Sequence, residues 1–278
     1  MDAPDGVGIA TYLLGGTGPP LIVLHATGFH AHCWVNVAPH LTEHFTVWAI
    51  DQRGHGASGK PEPGALNDWG VFVDDLLAVI DHLGDQVWYG VGHSLGGAVL
   101  LLAEARRPGL FRRLCCYEPV IYVPSVFEDP GGARAVSLAE LARKRRAVFD
   151  SKKAALDNYA SKPPFSRFDA GTLEAYVEFG LVDLPDGTVT LACRREDEAS
   201  VFDGAPSTGG LPALDGVRAP VTLLGGVDPA DPVSRVLDLV AGRLEHGRAR
   251  RISGLDHFGP LVDPHGVGRL AVEALTAG

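Results

Sequence analysis

The residues best equipped for chemistry lie in Gly92-His93-Ser94-Leu95-Gly96, a G-x-S-x-G sequence. A short run of mostly apolar, β-branched and aromatic residues starting at Val87 precedes it. Apolar residues in helical register follow it as far as Pro108-Gly109, a helix stop. That strand-to-helix setting presents Ser94 at the tip of a tight turn, over the N-terminal amides and positive dipole end of the next helix. The turn forces a strained backbone on the serine, and small residues two positions either side keep strand and helix from colliding. A serine hydroxyl is a poor nucleophile at neutral pH. It needs a base to take its proton and a third group to fix that base. Attack on an ester or lactone carbonyl also needs backbone N–H groups facing the oxygen, and Leu95, just after the serine, offers one. The alternative is an ordinary serine in a glycine-rich turn, and the flanking strand and helix count against it.

Other residues invite chemical readings that their surroundings do not support. His25, His30, His32 and His55 cluster in sequence, but no Asp or Glu accompanies them at ligand spacing, so no metal is expected. His25 and His55 read as structural hydrogen-bonders, and His30 and His32 as residues of a cleft rim. Cys33, Cys115, Cys116 and Cys193 lack zinc-type spacing, and the adjacent Cys115 and Cys116 read as small buried apolar residues rather than as a strained vicinal disulfide. Arg143-Lys144-Arg145-Arg146 reads as a solvated helix face rather than a nucleic-acid patch. The chain of 278 residues is 46% hydrophobic and 21% charged, an ordinary globular composition able to bury a sizeable core. Its formal charge of −10 argues against nucleic acid or an anionic membrane as partner. The first residues lack the basic start and apolar stretch of a signal peptide, and no segment has the roughly 20 apolar residues of a bilayer span. A cytoplasmic protein acting on a small molecule is the expectation.

The elements that must hold Ser94 alternate. Strands are expected at residues 8–14, 21–24, 46–50 and 114–117, with a helix over 69–83 ending at Gly84. From about 122 to 210 the composition shifts, with helical patterns over 137–149, 151–161 and 170–181. A strand at 221–224, a helix over 233–243, a strand at 248–252 and a helix over 267–275 complete the chain. This rhythm indicates a parallel sheet covered on both faces.

Three motifs in order make the resemblance specific. His25-Ala26-Thr27-Gly28 is similar to an oxyanion loop, with Ala26 where glycine is commoner. Asp51-x-Arg53-Gly54-x-Gly56-x-Ser58 is similar to the loop after the next strand, and Gly92 to Gly97 matches a nucleophile elbow. Over nearly its whole length the chain resembles the α/β-hydrolase superfamily. The resemblance implies an α/β-hydrolase fold with a mostly parallel central sheet flanked by helices. It divides the chain into core residues 1–121, a helical cap over 122–210, and core residues 211–278.

The resemblance also implies a catalytic set. His257, in His-Phe-Gly-Pro after the last strand, takes the base position. Asp228, in Gly-x-x-Asp-Pro after the strand at 221–224, takes the commonest position for the orienting acid. Glu118, ending the strand at 114–117, is the competitor, since some members take the acid from there; Asp231 is a third candidate. Leu95 and Thr27 are the expected oxyanion donors, with Gly28 an alternative to Thr27. Phe29, Trp34, Tyr122 and Phe127 are candidates for an apolar acyl pocket. The implied activity is a cofactor-independent serine hydrolase that cleaves a carboxylic ester or lactone. Carbon–carbon bond hydrolysis by the same triad and a triad-bearing ligand receptor are the alternatives. Haloalkane or epoxide cleavage is disfavoured, because those relatives carry Asp where this chain has Ser94.

Overall fold

The computed structural model describes residues 1–128, 137–227 and 231–277. Seven strands form one sheet, in the order Thr11–Gly15, Thr46–Ile50, Pro20–Leu24, Trp88–His93, Phe111–Tyr117, Val221–Gly225 and Gly247–Arg251. Only the Thr11–Gly15 edge runs antiparallel to its neighbour, and every other pairing is parallel. The central strands are buried on both faces, which explains why Leu21 to Leu24 is an unbroken apolar run rather than an alternating one.

Each face carries its own core. Helices Gly70–Leu83, Leu95–Arg106 and Pro232–Arg243 cover one face, where Trp69, Phe72, Leu76, Trp88, Leu100 and Leu237 pack together. Helices Ala38–Thr42 and Pro264–Thr276 cover the other, around Trp34, Leu41, Phe45, Val267 and Ala271. Leu95–Arg106 is buried along most of its length, so its register is set by burial rather than by amphipathicity. Its Glu104 is fully buried and accepts from the N–H groups of Gly109, Phe111 and Ala219, at 2.9, 3.0 and 3.1 Å. Those bonds tie the far end of the helix to two strands. Among the described residues, no helix is long and apolar enough to cross a membrane.

Residues 122–210 break the alternation. Short helices at Pro124–Phe127, Leu138–Lys144, Lys152–Ala160, Ala170–Gly180 and Arg195–Asp203 surround a small antiparallel sheet of Val148–Phe149, Val189–Leu191 and Leu181–Asp183. The helical pattern over 137–149 is shorter than expected. It stops at Lys144 because Arg145 adopts an extended conformation and Val148–Phe149 pairs as a strand. The small sheet and the Arg195–Asp203 helix went unread in the sequence. Strands of two or three residues leave too few positions for a period of two to register.

This segment docks on the core along two lines. On one, Ser200 Oγ accepts from Leu66 N–H at 2.9 Å, Ser207 Oγ accepts from Trp69 N–H at 2.8 Å, and the Trp69 indole donates to Val201 O at 2.9 Å. On the other, Asp169 accepts from Asn36 at 2.5 Å, His30 Nε2 donates to Tyr176 O at 3.1 Å, and Arg167 pairs with Asp256. The second line adjoins an aromatic cluster formed by Phe29, Phe168, Tyr176 and Phe258.

The elbow itself is a steric fit. A Cβ on Gly92 would lie 2.6 Å from Gly97 N, and one on Gly96 would lie 2.3 Å from the Leu24 carbonyl oxygen. Neither backbone can yield, because each belongs to a central strand or its helix. Gly96→Ala is therefore expected to lower unfolding stability by about 3 kcal/mol, the upper end for overpacking a core. Gly242→Ala has open space in the Pro232–Arg243 helix and is expected to raise it by about 0.5–1 kcal/mol. Urea unfolding of the two variants beside wild type checks both signs.

Candidate active site

Ser94 stands between strand Trp88–His93 and helix Leu95–Arg106 with φ 55°, a region that L-residues with a full side chain rarely occupy. The strain is held in place by backbone bonds on both sides: Ser94 N–H donates to Tyr117 O at 3.0 Å, and Ser94 O accepts from Ala98 and Val120. Its hydroxyl oxygen lies 3.1 Å from His257 Nε2. His257 Nδ1 lies 2.8 Å from Glu118 Oε2. An ionised carboxylate only accepts, so Glu118 places the ring proton on Nδ1 and leaves Nε2 as the acceptor facing Ser94.

Glu118 is fully buried and also strained, with φ 41°. Its N–H donates to Leu224 O at 2.8 Å, and its second oxygen, Oε1, accepts from Gly226 N–H at 2.8 Å. The fit depends on the neighbouring strand end, because a Cβ on Gly225 would come within 2.9 Å of Glu118 Cγ and Oε1. Asp228, ranked first for this role by resemblance, lies outside the described residues. The carboxylate found on His257 is the second-ranked candidate.

The loop that carries His257 is tied down by the residues next to its two partners. His93, the neighbour of Ser94, donates from Nε2 to the His257 carbonyl at 2.7 Å. Tyr117, the neighbour of Glu118, donates its hydroxyl to Asp256 O at 2.8 Å. Gly259 makes room for that phenol, since a Cβ there would lie 2.0 Å from the Tyr117 oxygen. Burial alone pulls His257 towards its neutral form. The hydrogen bond and charge of Glu118, with the charges of Asp231 and Asp256, outweigh burial and hold its pKa above the usual imidazole value.

The two expected oxyanion donors come from different elements. Leu95 opens the helix after Ser94, and Thr27 lies in the loop after Pro20–Leu24. Neither N–H donates to an acceptor among the described residues. The Thr27 loop is set by His25, whose Nδ1 donates to Ala26 O at 2.8 Å and whose Nε2 accepts from Gln52 N–H at 2.9 Å. Gln52 belongs in turn to the loop built around Asp51, which accepts from Ala31 N–H, Ala57 N–H and the Tyr12 hydroxyl. His25 is thus a structural hydrogen-bonder, as read from the sequence, and His55 donates from Nδ1 to Arg53 O at 3.0 Å. His30 is buried against Tyr176, and the His32 ring stacks on Phe179, with centroids 3.7 Å apart.

Of the four aromatics expected to line a pocket, Phe29 is the one in ring contact with Phe258, the neighbour of His257. Trp34 is buried in the core beneath the sheet. Tyr122 and Phe127 stack on each other, centroids 5.2 Å apart, with the Tyr122 hydroxyl donating to Glu128.

The basic run 143–146 is not uniformly a solvated face. Arg143 and Arg146 are exposed, but Arg145 turns inward as the helix ends. Its guanidinium donates to both Glu198 oxygens, at 2.7 and 2.6 Å, and to the Tyr176 hydroxyl at 2.6 Å. The Glu198 carboxylate reaches the loop that carries Thr27, since a Cβ on Gly28 would lie 2.7 Å from its Oε1. A partner 53 residues away leaves no local signal, so helical periodicity alone placed Arg145 with its neighbours.

Comparison with known proteins bears on the fold. A family model described as the alpha/beta hydrolase family matches residues 21–270. A 2-(acetamidomethylene)succinate hydrolase from Mesorhizobium japonicum is 32% identical over 134 residues, 48% of this chain and 47% of that enzyme. A soluble epoxide hydrolase from Corynebacterium sp. is 40% identical over 103 residues, 37% of this chain and 35% of that enzyme. The chain thus spans about half or less of the length of these curated relatives. Among solved structures, that of E-2-(acetamidomethylene)succinate hydrolase superposes with a TM-score of 0.78 at 21% identity, covering 98% of this chain and 95% of the other.

The buried histidines around the site set an acid limit on the fold. Burial, the largest influence, drives His25 and His55 each down to about 3, and His93 falls well below its ordinary value for the same reason. The unfolded chain takes up these protons near pH 6.5 and the folded chain only well below it, near pH 3 for His25 and His55. Stability is therefore complete above pH 6.5 and is lost as pH falls through that window. Each such group adds a slope of up to about 1.4 kcal/mol per pH unit; His257, raised, opposes them. Urea unfolding at pH 7 and pH 5 is expected to show a lower midpoint at pH 5. The difference is expected to shrink in His55→Gln, and an equal difference in both proteins contradicts the assignment.

Proposed function

Because this chain belongs to the alpha/beta hydrolase family, we propose that it is a serine hydrolase cleaving a carboxylic ester or lactone through an acyl-enzyme on Ser94. The observation that carries the reading is the continuous line Ser94 Oγ, His257, Glu118, with contacts of 3.1 and 2.8 Å. Glu118 is the orienting acid in this reading.

Attack begins as His257 Nε2 takes the Ser94 proton and Oγ bonds to the carbonyl carbon. Glu118 then faces an imidazolium rather than a neutral ring, so its attraction is strongest when charge has developed. The carbonyl electrons move onto oxygen, where the N–H groups of Leu95 and Thr27 receive it. Each such donor is typically worth about 3–4 kcal/mol in the transition state. As the tetrahedral centre collapses, His257 returns its proton to the departing alkoxide oxygen, which stays tethered to the acyl group if the substrate is a lactone. A water molecule next gives a proton to His257 and its oxygen to the acyl carbon. The second collapse re-protonates Ser94 and releases the carboxylic acid.

The serine decides between carbonyl and alkyl substrates. An alkyl group transferred from an epoxide to a serine hydroxyl would form an ether, which a histidine and water do not cleave. An acyl group forms an ester, which they do. The chemistry named for the Corynebacterium relative is therefore not carried over.

Residues 122–210 act as a cap in this reading. Phe168 and Tyr176 from that segment meet Phe29 and Phe258 beside His257, with ring centroids 5.3–6.1 Å apart. The aromatic wall they form suits the apolar part of an acyl group, with Phe29 at its base.

Turnover of short-chain p-nitrophenyl esters and a small lactone panel tests the proposal. Ser94→Ala is expected to lower kcat by about 10⁶, as for members that act as a unit. Glu118→Gln, which keeps shape but removes the charge, is expected to lower it by about 10⁴. Ester turnover that survives Ser94→Ala would overturn the acyl-enzyme reading. Activity in wild type is expected to rise with pH as His257 loses its proton, with a midpoint above the ordinary imidazole value.

A further inference from the structure

We propose that Asp231 is a second carboxylate serving His257, a positioning residue that shares with Glu118 the stabilisation of the charged imidazole. The inference rests on reading His257 as the base of Ser94. One oxygen of Glu118, one oxygen of Asp231 and a ring nitrogen of His257 all lie within 4.8 Å of one another. The two carboxylates arrive from different places. Glu118 ends strand Phe111–Tyr117, and Asp231 stands at the start of helix Pro232–Arg243, in the connection from strand Val221–Gly225.

Asp231 is held there rather than swinging freely. Its Oδ1 accepts from Val233 N–H at 3.0 Å, the N-cap bond of the helix. Two carboxylates this close repel one another unless a positive charge lies between them. A neutral His257 leaves that repulsion uncompensated, and a protonated His257 relieves it. The pair therefore favours the imidazolium that forms when Ser94 gives up its proton.

Among the described residues, Asp256 also raises His257 by its charge, after Asp231, and the remaining neighbours act in other ways. Asp256, next in the chain, is engaged by Arg167 and accepts from Phe258 N–H. His93 is kept neutral by burial and touches the His257 carbonyl rather than its ring nitrogens. Tyr117, whose hydroxyl donates to Asp256 O, is held protonated first by burial and then by the charges of Glu118, Asp256 and Asp231. The charge of Asp231 is likewise among those that raise His257, after that of Glu118.

The geometry offers a clean test, because Asn caps a helix as well as Asp does. Asp231→Asn removes the charge and keeps the bond to Val233. The imidazole titration of His257 is followed by nitrogen-15 NMR, its signals identified by their loss in His257→Gln, with thermal melting to confirm that each variant is folded. In Asp231→Asn the His257 midpoint is expected to fall by about half to one pH unit. Where Glu118→Gln folds, the double variant is expected to titrate lower than Glu118→Gln alone. A midpoint unchanged by Asp231→Asn overturns the inference. This readout needs no substrate, so it separates from the serine-hydrolase reading, which stands or falls on Ser94→Ala turnover.

Discussion

A carboxylate with no exposure to water costs several kcal/mol in desolvation unless its oxygens are occupied, and Glu118 is such a group. One oxygen accepts from Gly226 and the other from His257. Much of the surrounding structure follows from meeting that requirement. The backbone at Glu118 takes a positive φ to turn the side chain off the end of its strand. Gly225 carries no Cβ because the Glu118 side chain fills the place where one would stand. The His257 ring is held in one orientation and one tautomer because the buried oxygen demands a donor. The bond that makes the carboxylate tolerable is also the bond that aims Nε2 at Ser94.

The site is over-determined by neighbours. His93 and Tyr117 adjoin Ser94 and Glu118 in sequence, and both reach across to hold the loop bearing His257. Strain at Ser94 and Glu118 can persist because the sheet, the helix and this loop all resist relaxation at once. The same logic extends to the loop at residues 25–28, where His25 and Gln52 bond together and Glu198, with Arg145, packs against Gly28. An ion pair drawn from the 122–210 segment therefore bears on the loop at Gly28. Packing of that segment and geometry of the loop are linked through it.

Much of this was legible in the chain because some constraints are local. The elbow needs small residues at fixed offsets from its serine, and a close approach of backbone to backbone imposes that need wherever the motif occurs. Gly92, Ser94 and Gly96 state it within five residues. The parallel strands are equally plain, since burial on both faces yields short apolar runs such as residues 21–24. Their strand-helix alternation defines a parallel sheet covered on both faces.

Tertiary structure decided what depends on distant partners. Glu118 and Asp231 both end or follow strands, and nothing in their own neighbourhoods says which carboxylate meets a ring 139 residues beyond Glu118. Arg145 shares its helical register with exposed basic neighbours, yet a turn of the chain at the helix end carries it to Glu198. Local sterics leave a signature in residue type and spacing. A hydrogen bond or ion pair between remote segments is set by where the fold brings them, and leaves none. By itself the sequence determined the sheet, the elbow and the serine; the carboxylate behind the histidine and the half-buried arginine paired with Glu198 were decided only when the chain closed on itself.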